Sequence, residues 1–224
     1  MPRTSIFVLT AAAAAAACAL SACGPVRMGS AAISGGERIT ATTLSDQVSS
    51  LERAYHAGKG IQLQFPQSEA PQEVLSWLLR FQIRDEVAVR NHVVVTTGES
   101  QRALSLLARQ TGRSGPAFIQ LAAANGLAPD MLPDLGRYEA IQRDMFVRLT
   151  GGTLPRTQAR VQILSVQFNH RECVAAKSLN IQVNPQYGQL DYRTYSVVPA
   201  PSTLSAPATP APSPTPKPQL TPAC

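Results

Sequence analysis

Ala31-Ala32-Ile33-Ser34-Gly35-Gly36-Glu37-Arg38-Ile39-Thr40 is the stretch that sets the fold. Ala31 to Ser34 reads as a short strand. Gly35-Gly36 is a two-residue turn of the kind that tolerates positive φ, and Glu37-Arg38-Ile39 returns as a second short strand. Thr40 then suits a helix N-cap, because its hydroxyl can accept from an amide in the first turn. The helix beyond it carries Leu44, Val48, Leu51 and Tyr55 at steps of four, three and four, which is one apolar face. Gly58 and Gly60 stop it.

Working outward, the pattern stays helical. Pro71 starts a second helix with a broad apolar stripe of Val74, Leu75, Trp77, Leu78, Phe81 and Val87, ending at Asn91-His92. Val93-Val94-Val95 is an extended link. Thr96-Thr97-Gly98-Glu99 spells a capping box, in which the Thr96 oxygen accepts from the Glu99 amide and the Glu99 carboxylate reaches back. The third helix follows, with Ala103, Leu104, Leu107 and Ala108 inward. Ser114-Gly115-Pro116 opens a fourth helix that carries Phe118, Leu121 and Ala122, with Gly126 in a C′ position. A fifth helix covers roughly residues 130–149, with Pro133 in its first turn and Leu135, Tyr138, Ile141, Met145 and Leu149 on its apolar side. Gly151-Gly152 breaks it. Residues 157–179 fit a helix through Val161, Leu164, Phe168, Ala175 and Leu179; alternation through Leu164, Val166 and Phe168 is less clean, and length favours the helix. Ile181 and Val183 alternate as one short C-terminal strand, and Asn184 to Gly188 reads as a turn. The expected fold class is mostly α: a multi-helix domain with a small N-terminal β-hairpin and one short C-terminal strand.

Upstream of this domain, Arg3 followed by the apolar run Ile6 to Leu20 has the layout of an export signal, shorter than the roughly 20 residues of a spanning helix. Leu20-Ser21-Ala22-Cys23 ends it and reads as a lipobox, with a small residue before a cysteine that takes a diacylglycerol. An ordinary secretory signal cut after Ala22 fits the same residues. The division is then a lipoprotein signal at 1–22, a lipidated tether at 23–30, the helical domain at 31–198 and a Pro/Ala/Ser/Thr-rich tail at 199–224. Such a tail buries too little apolar surface to fold and favours polyproline II. Each buried methylene of the lipid contributes about 0.8 kcal/mol, so two or three acyl chains anchor stably. Cys18 leaves with the signal and Cys23 carries the lipid, which leaves Cys173 and Cys224 to pair outside the cytoplasm or to stand as two unrelated thiols.

The formal net charge is +6, with Lys59, Lys177 and Lys217 the only lysines. Arginines at 137, 143, 148, 156, 160 and 171 are interleaved with Glu139, Asp144 and Glu172, a pattern of solvated helix faces with local ion pairs; a surface facing anionic headgroups or an acidic partner is the alternative. An export signal removes the chain from nucleic acid. His170 and Cys173 share a helix face at i and i+3, but no second His/Cys cluster completes a metal site and no third group orients a nucleophile. Gly35-Gly36 and Gly151-Gly152 lack the spacing and lysine of a phosphate loop. No HExxH, GxSxG or CxxC occurs. The expectation is a protein without metal or cofactor, and not an enzyme.

The string from Ala31 to Val48 resembles the entry to the N-terminal domain of SurA-like periplasmic chaperones and the related PpiD and PrsA foldases, where a small strand pair with a glycine turn precedes Ile-Thr and an amphipathic helix. Arg90 to Thr96 and on to Glu99 is similar to that family's valine stretch and Thr-to-Glu helix start. Val183-Asn184-Pro185-Gln186-Tyr187-Gly188 resembles the ending of lipid-anchored members from high-GC Gram-positive bacteria. The resemblance implies a helical cradle for unfolded, aromatic-rich polypeptide, with the final helix packed back onto the first ones. Trp77 and Phe81 are the candidate peptide-binding residues, with core packing as the competing role. Foldases carry a parvulin domain before the last helix, and here only Thr150 to Arg156 stand in that place. The expected function is therefore a lipoprotein on the outer face of the membrane that binds unfolded or extended exported polypeptides. The alternatives are a scaffold with one dedicated protein partner and, at a further remove, a prolyl isomerase.

Overall fold

The structure is a computed structural model and describes residues 29–57 and 62–200. The signal segment, Leu20, Ser21, Ala22, the lipidation candidate Cys23 and Cys224 lie outside the described residues. Within them the chain is mostly helical, with a small antiparallel hairpin at the N-terminal end and short strands near the C-terminal end.

The entry hairpin pairs β1 (Ser30–Ser34) with β2 (Glu37–Thr40). Gly35 and Gly36 both have positive φ, at 59° and 88°, as a twist-matched two-residue turn requires. Gly35 has a second constraint: a Cβ there would stand 2.6 Å from Leu179 Cδ2. Thr40 caps α1 (Ala41–Ala57) by accepting from the Thr43 amide at 2.9 Å. Leu44 and Leu51 are buried from that helix, while Val48 is half-buried against the core.

Helix α2 (Ala70–Arg90) is the axle of the fold and packs against α1, α5 (Leu132–Leu149) and α6 (Gln158–Ser178). Val74, Leu75, Leu79, Ile83 and Val87 are sealed from solvent along it. Helix α3 (Thr97–Gln110) starts at the complete capping box, with Thr96 Oγ1 accepting from the Glu99 amide and the Glu99 carboxylate accepting from the Thr96 amide at 2.8 Å. Helix α4 (Pro116–Ala124) follows, with proline in its first turn. A 3-10 turn at Pro129–Met131 precedes α5, so the fifth helix begins slightly later than the sequence pattern implies. The ambiguous stretch after Gly152 is the helix α6.

The C-terminal end differs from the expectation of one short strand. There are three: β3 (Gln182–Val183), β4 (Gln189–Asp191) and β5 (Ser196–Val198). β3 joins β1, giving the order β2-β1-β3, and β4 pairs with β5 as a separate hairpin. That hairpin turns without glycine or proline. The Asp191 carboxylate accepts from the Arg193 amide at 2.9 Å, and Tyr195 adopts a φ of 51°. The hairpin is fixed to α2, where the Val197 amide donates to Ser76 Oγ at 2.8 Å and Arg80 donates to Ser196 Oγ and to the Tyr195 carbonyl.

Candidate functional site

An open trough runs between α3 and α5. Helix α3 offers Ala103, Leu104, Leu106, Leu107 and Ala108, but only Ala103 is buried. The others are half-covered because α3 leans on α5 through small residues. Gly136 is the clearest cause: a Cβ there would lie 2.6 Å from the Ser100 carbonyl oxygen. Leu104, Leu107 and Ala108 still pack against the core on one side, and Leu106 and Leu107 border a trough on the other.

The trough consists of two adjoining hollows of about 410 and 400 Å³ that share Ala103, Leu106 and Arg143. The first is bordered by Glu99, Arg102, Arg109 and Asp144. The second is walled by Leu107, Phe146, Leu154 and Pro155, with Glu139 and Gln142 on its polar side. Leu154 is among the exposed large apolar residues of the fold. Each hollow is within the size range of ligand pockets, and an apolar strip edged by charges of both signs suits an extended chain carrying apolar side chains. Burial pushes the Glu139 carboxyl above its ordinary range, and Arg84 partly offsets this. Burial also raises Asp144, with a smaller contribution from Glu99. Glu99 itself is lowered, first by the Thr96 amide bond.

A buried polar junction backs the trough. Arg84 on α2 donates through Nη2 and Nε to Glu172 Oε1 on α6 at 2.7 and 2.8 Å, with the two side chains only 4% and 8% exposed. Arg84 Nη1 donates to the Tyr138 carbonyl and to Gln142 Oε1 at 3.2 and 3.0 Å. The guanidinium lies over the Tyr138 ring at 3.5 Å and the Phe168 ring at 4.6 Å. Burial pushes the Glu172 carboxyl up, and Arg84 works against that shift. Gln142 thus has one role at the junction and lines the trough as well.

The residues singled out from the sequence sit elsewhere. Phe81 is buried and Trp77 half-buried, in a ring cluster with Tyr138 at centroid separations of 5.8 to 6.2 Å. The Trp77 indole donates to the Asn125 carbonyl at 2.9 Å. Neither lines the trough; Phe81 borders a small hollow of about 20 Å³ with Asp85, Asp134, Arg137 and Tyr138. Cys173 is disulfide-bonded, and its partner lies outside the described residues. His170 is exposed on α6. Among the described residues no group of three or more His, Cys, Asp or Glu side chains is placed to hold a metal ion, and no helix is long and apolar enough to cross a membrane.

The sequence reading missed Leu106 and Arg84, and gave Arg143 only as part of a charge pattern on solvated helix faces. Arg84 had a legible signal. Trp77, Phe81, Arg84 and Ala88 follow steps of four, three and four, so an arginine occupies the core-facing register of α2. Glu172 does the same on α6 after Leu164 and Phe168. Comparison with protein families, curated proteins and solved structures gives no match.

Proposed function

We propose that this chain is an extracytoplasmic lipoprotein, anchored through Cys23, that binds unfolded or extended polypeptide in the α3–α5 trough. The observation that carries the reading is the half-covered apolar side of α3, with Leu106 and Leu107 facing Phe146, Leu154 and Pro155 across an open hollow. Apolar surface kept open beside a well-packed core is what a site for a protein partner or ligand needs. Arg102, Arg109 and Arg143 stand beside Glu99 and Asp144 at one end of the trough, so polar backbone and side chains of a client would meet both donors and acceptors.

The resemblance to SurA-like chaperone domains points the same way. The hairpin entry, the Thr96 capping box and the packing of α6 back on α2 are compatible with that helical cradle. The Leu20-Ser21-Ala22-Cys23 lipobox supports placement on the outer membrane face, where exported chains emerge unfolded. Binding rather than prolyl isomerisation is the activity proposed, since the short Thr150 to Arg156 connection leaves no room for a parvulin insert.

Suppression of aggregation tests this. The mature protein at several-fold excess should slow light scattering by a denatured, aromatic-rich client diluted into buffer. No effect at that excess would count against the reading.

A further inference from the structure

Helix α6 is apolar on two sides. Leu164, Phe168, Ala175 and Ala176 face the core. Ile163, Val166 and Val174 fall on the opposite side at helical spacing and are 51%, 52% and 42% exposed. Cys173 lies beside this outer stripe, is largely buried, and is disulfide-bonded to a cysteine outside the described residues. The hairpin that launches the C-terminal segment is next to the same helix: the Tyr195 hydroxyl donates to the Asn169 carbonyl at 3.5 Å, one turn before Cys173.

We propose that residues 201–224 fold back on α6, joined by a Cys173–Cys224 disulfide, and lay their proline-rich chain over Ile163, Val166 and Val174. The choice of Cys224 rests on the lipoprotein reading, which removes Cys18 with the signal and places an acyl chain on Cys23. Reach is ample. An extended chain covers about 3.3–3.6 Å per residue, so this segment spans about 80 Å. Helix α6 is only about 31 Å long at 1.5 Å per residue. Register also fits. With Cys224 on Cys173 and the chain running toward the N-terminal end of α6, Leu220 lies about 12 Å away at the polyproline II rise of about 3.1 Å. Val166 is about 10 Å from Cys173 along the helix axis, so Leu220 comes level with it. The prolines before Leu220 supply a low-entropy apolar ridge for the rest of the stripe.

The bond forms by thiol–disulfide exchange with a disulfide-carrying protein oxidant of the outer compartment. One thiolate of the pair attacks the oxidant's disulfide, and the second displaces the oxidant from the mixed disulfide. The two electrons and the two thiol protons end on the oxidant's dithiol.

The test is a tryptic map of the full mature protein, purified from membranes and alkylated without reduction. The expected species is Glu172–Lys177 joined to Thr194–Cys224, since Lys217 precedes a proline and is not cut; reduction should separate the two. The N-terminal peptide of the same digest reports the acyl chain on Cys23 independently. Alkylated Cys173 overturns the strap even if Cys23 is acylated. Cys173 joined to Cys23 overturns both the strap and the anchor. A linked Cys224 with Cys23 unmodified supports the strap and sinks only the anchor. Coverage of the stripe is read with Cys224→Ser, which should raise the binding of a hydrophobic dye about twofold. Dye binding equal to wild type would overturn the covering.

Discussion

Helix α5 meets two different neighbourhoods. Toward α2 and α6 it lends the Tyr138 carbonyl, the Tyr138 ring and the Gln142 amide oxygen to one buried guanidinium that also pairs with Glu172. Toward α3 it comes closest at Gly136, against the Ser100 carbonyl and Leu104, while Arg143, Phe146 and Glu139 border open space beside that contact. Polar groups at the first place are consumed by structure. At the second, Arg143 and Glu139 border a strip of half-covered leucines. The contrast separates what holds the helices together from what is free to bind.

The largest effect should come from breaking the closed side. Arg84→Ala leaves Glu172 buried without its partner and should cost about 3–5 kcal/mol, read as a lower urea midpoint. Arg84→Met combined with Glu172→Leu removes both charges and should be far closer to wild type. If the double variant is as unstable as the single, the junction is not an isolated ion pair.

The sequence made these two sides unequally legible. The Thr96 to Glu99 box, the Gly35-Gly36 turn and the helix spans were readable because each depends on local chemistry a few residues apart. The β4–β5 hairpin was not: its turn relies on the Asp191 side chain and on a left-handed Tyr195, not on glycine or proline. The trough was not readable either. Ala103, Leu104, Leu107 and Ala108 mark an inward side by periodicity, but periodicity cannot tell how far α5 covers it. That is decided by the Gly136 contact with Ser100, which is remote in sequence.

Gly136→Ala sharpens that point with a smaller effect. The added methyl meets a backbone carbonyl, so α3 must shift, and thermal unfolding should show a loss of about 1–3 kcal/mol. An unchanged midpoint would mean that the α3–α5 spacing is not set there.

Acidity gives a smaller and oppositely signed effect. Burial raises Glu139, Asp144, Glu172 and Asp134 above their ordinary values. The folded state therefore holds more protons than the unfolded chain between those raised values and the ordinary carboxylate range near 4. Stability should rise as pH falls through the raised values. Below the ordinary range it should fall, as Glu99 and Asp191, both lowered, lose their bonded charged forms. Urea midpoints across the acid limb check this, and Glu139→Gln should flatten the rise. A midpoint that only declines from neutrality would contradict the assignment.

The central claim is that the open side of α5 binds extended polypeptide. Fluorescence anisotropy of a labelled, reduced and unfolded aromatic-rich protein, titrated with Leu106→Asp, tests it most directly. The trough reading predicts binding at least about tenfold weaker than wild type, or about 1.4 kcal/mol, with the unfolding midpoint retained. Val166→Asp, on the outer side of α6, should bind as wild type does. Wild-type affinity in Leu106→Asp would contradict the account.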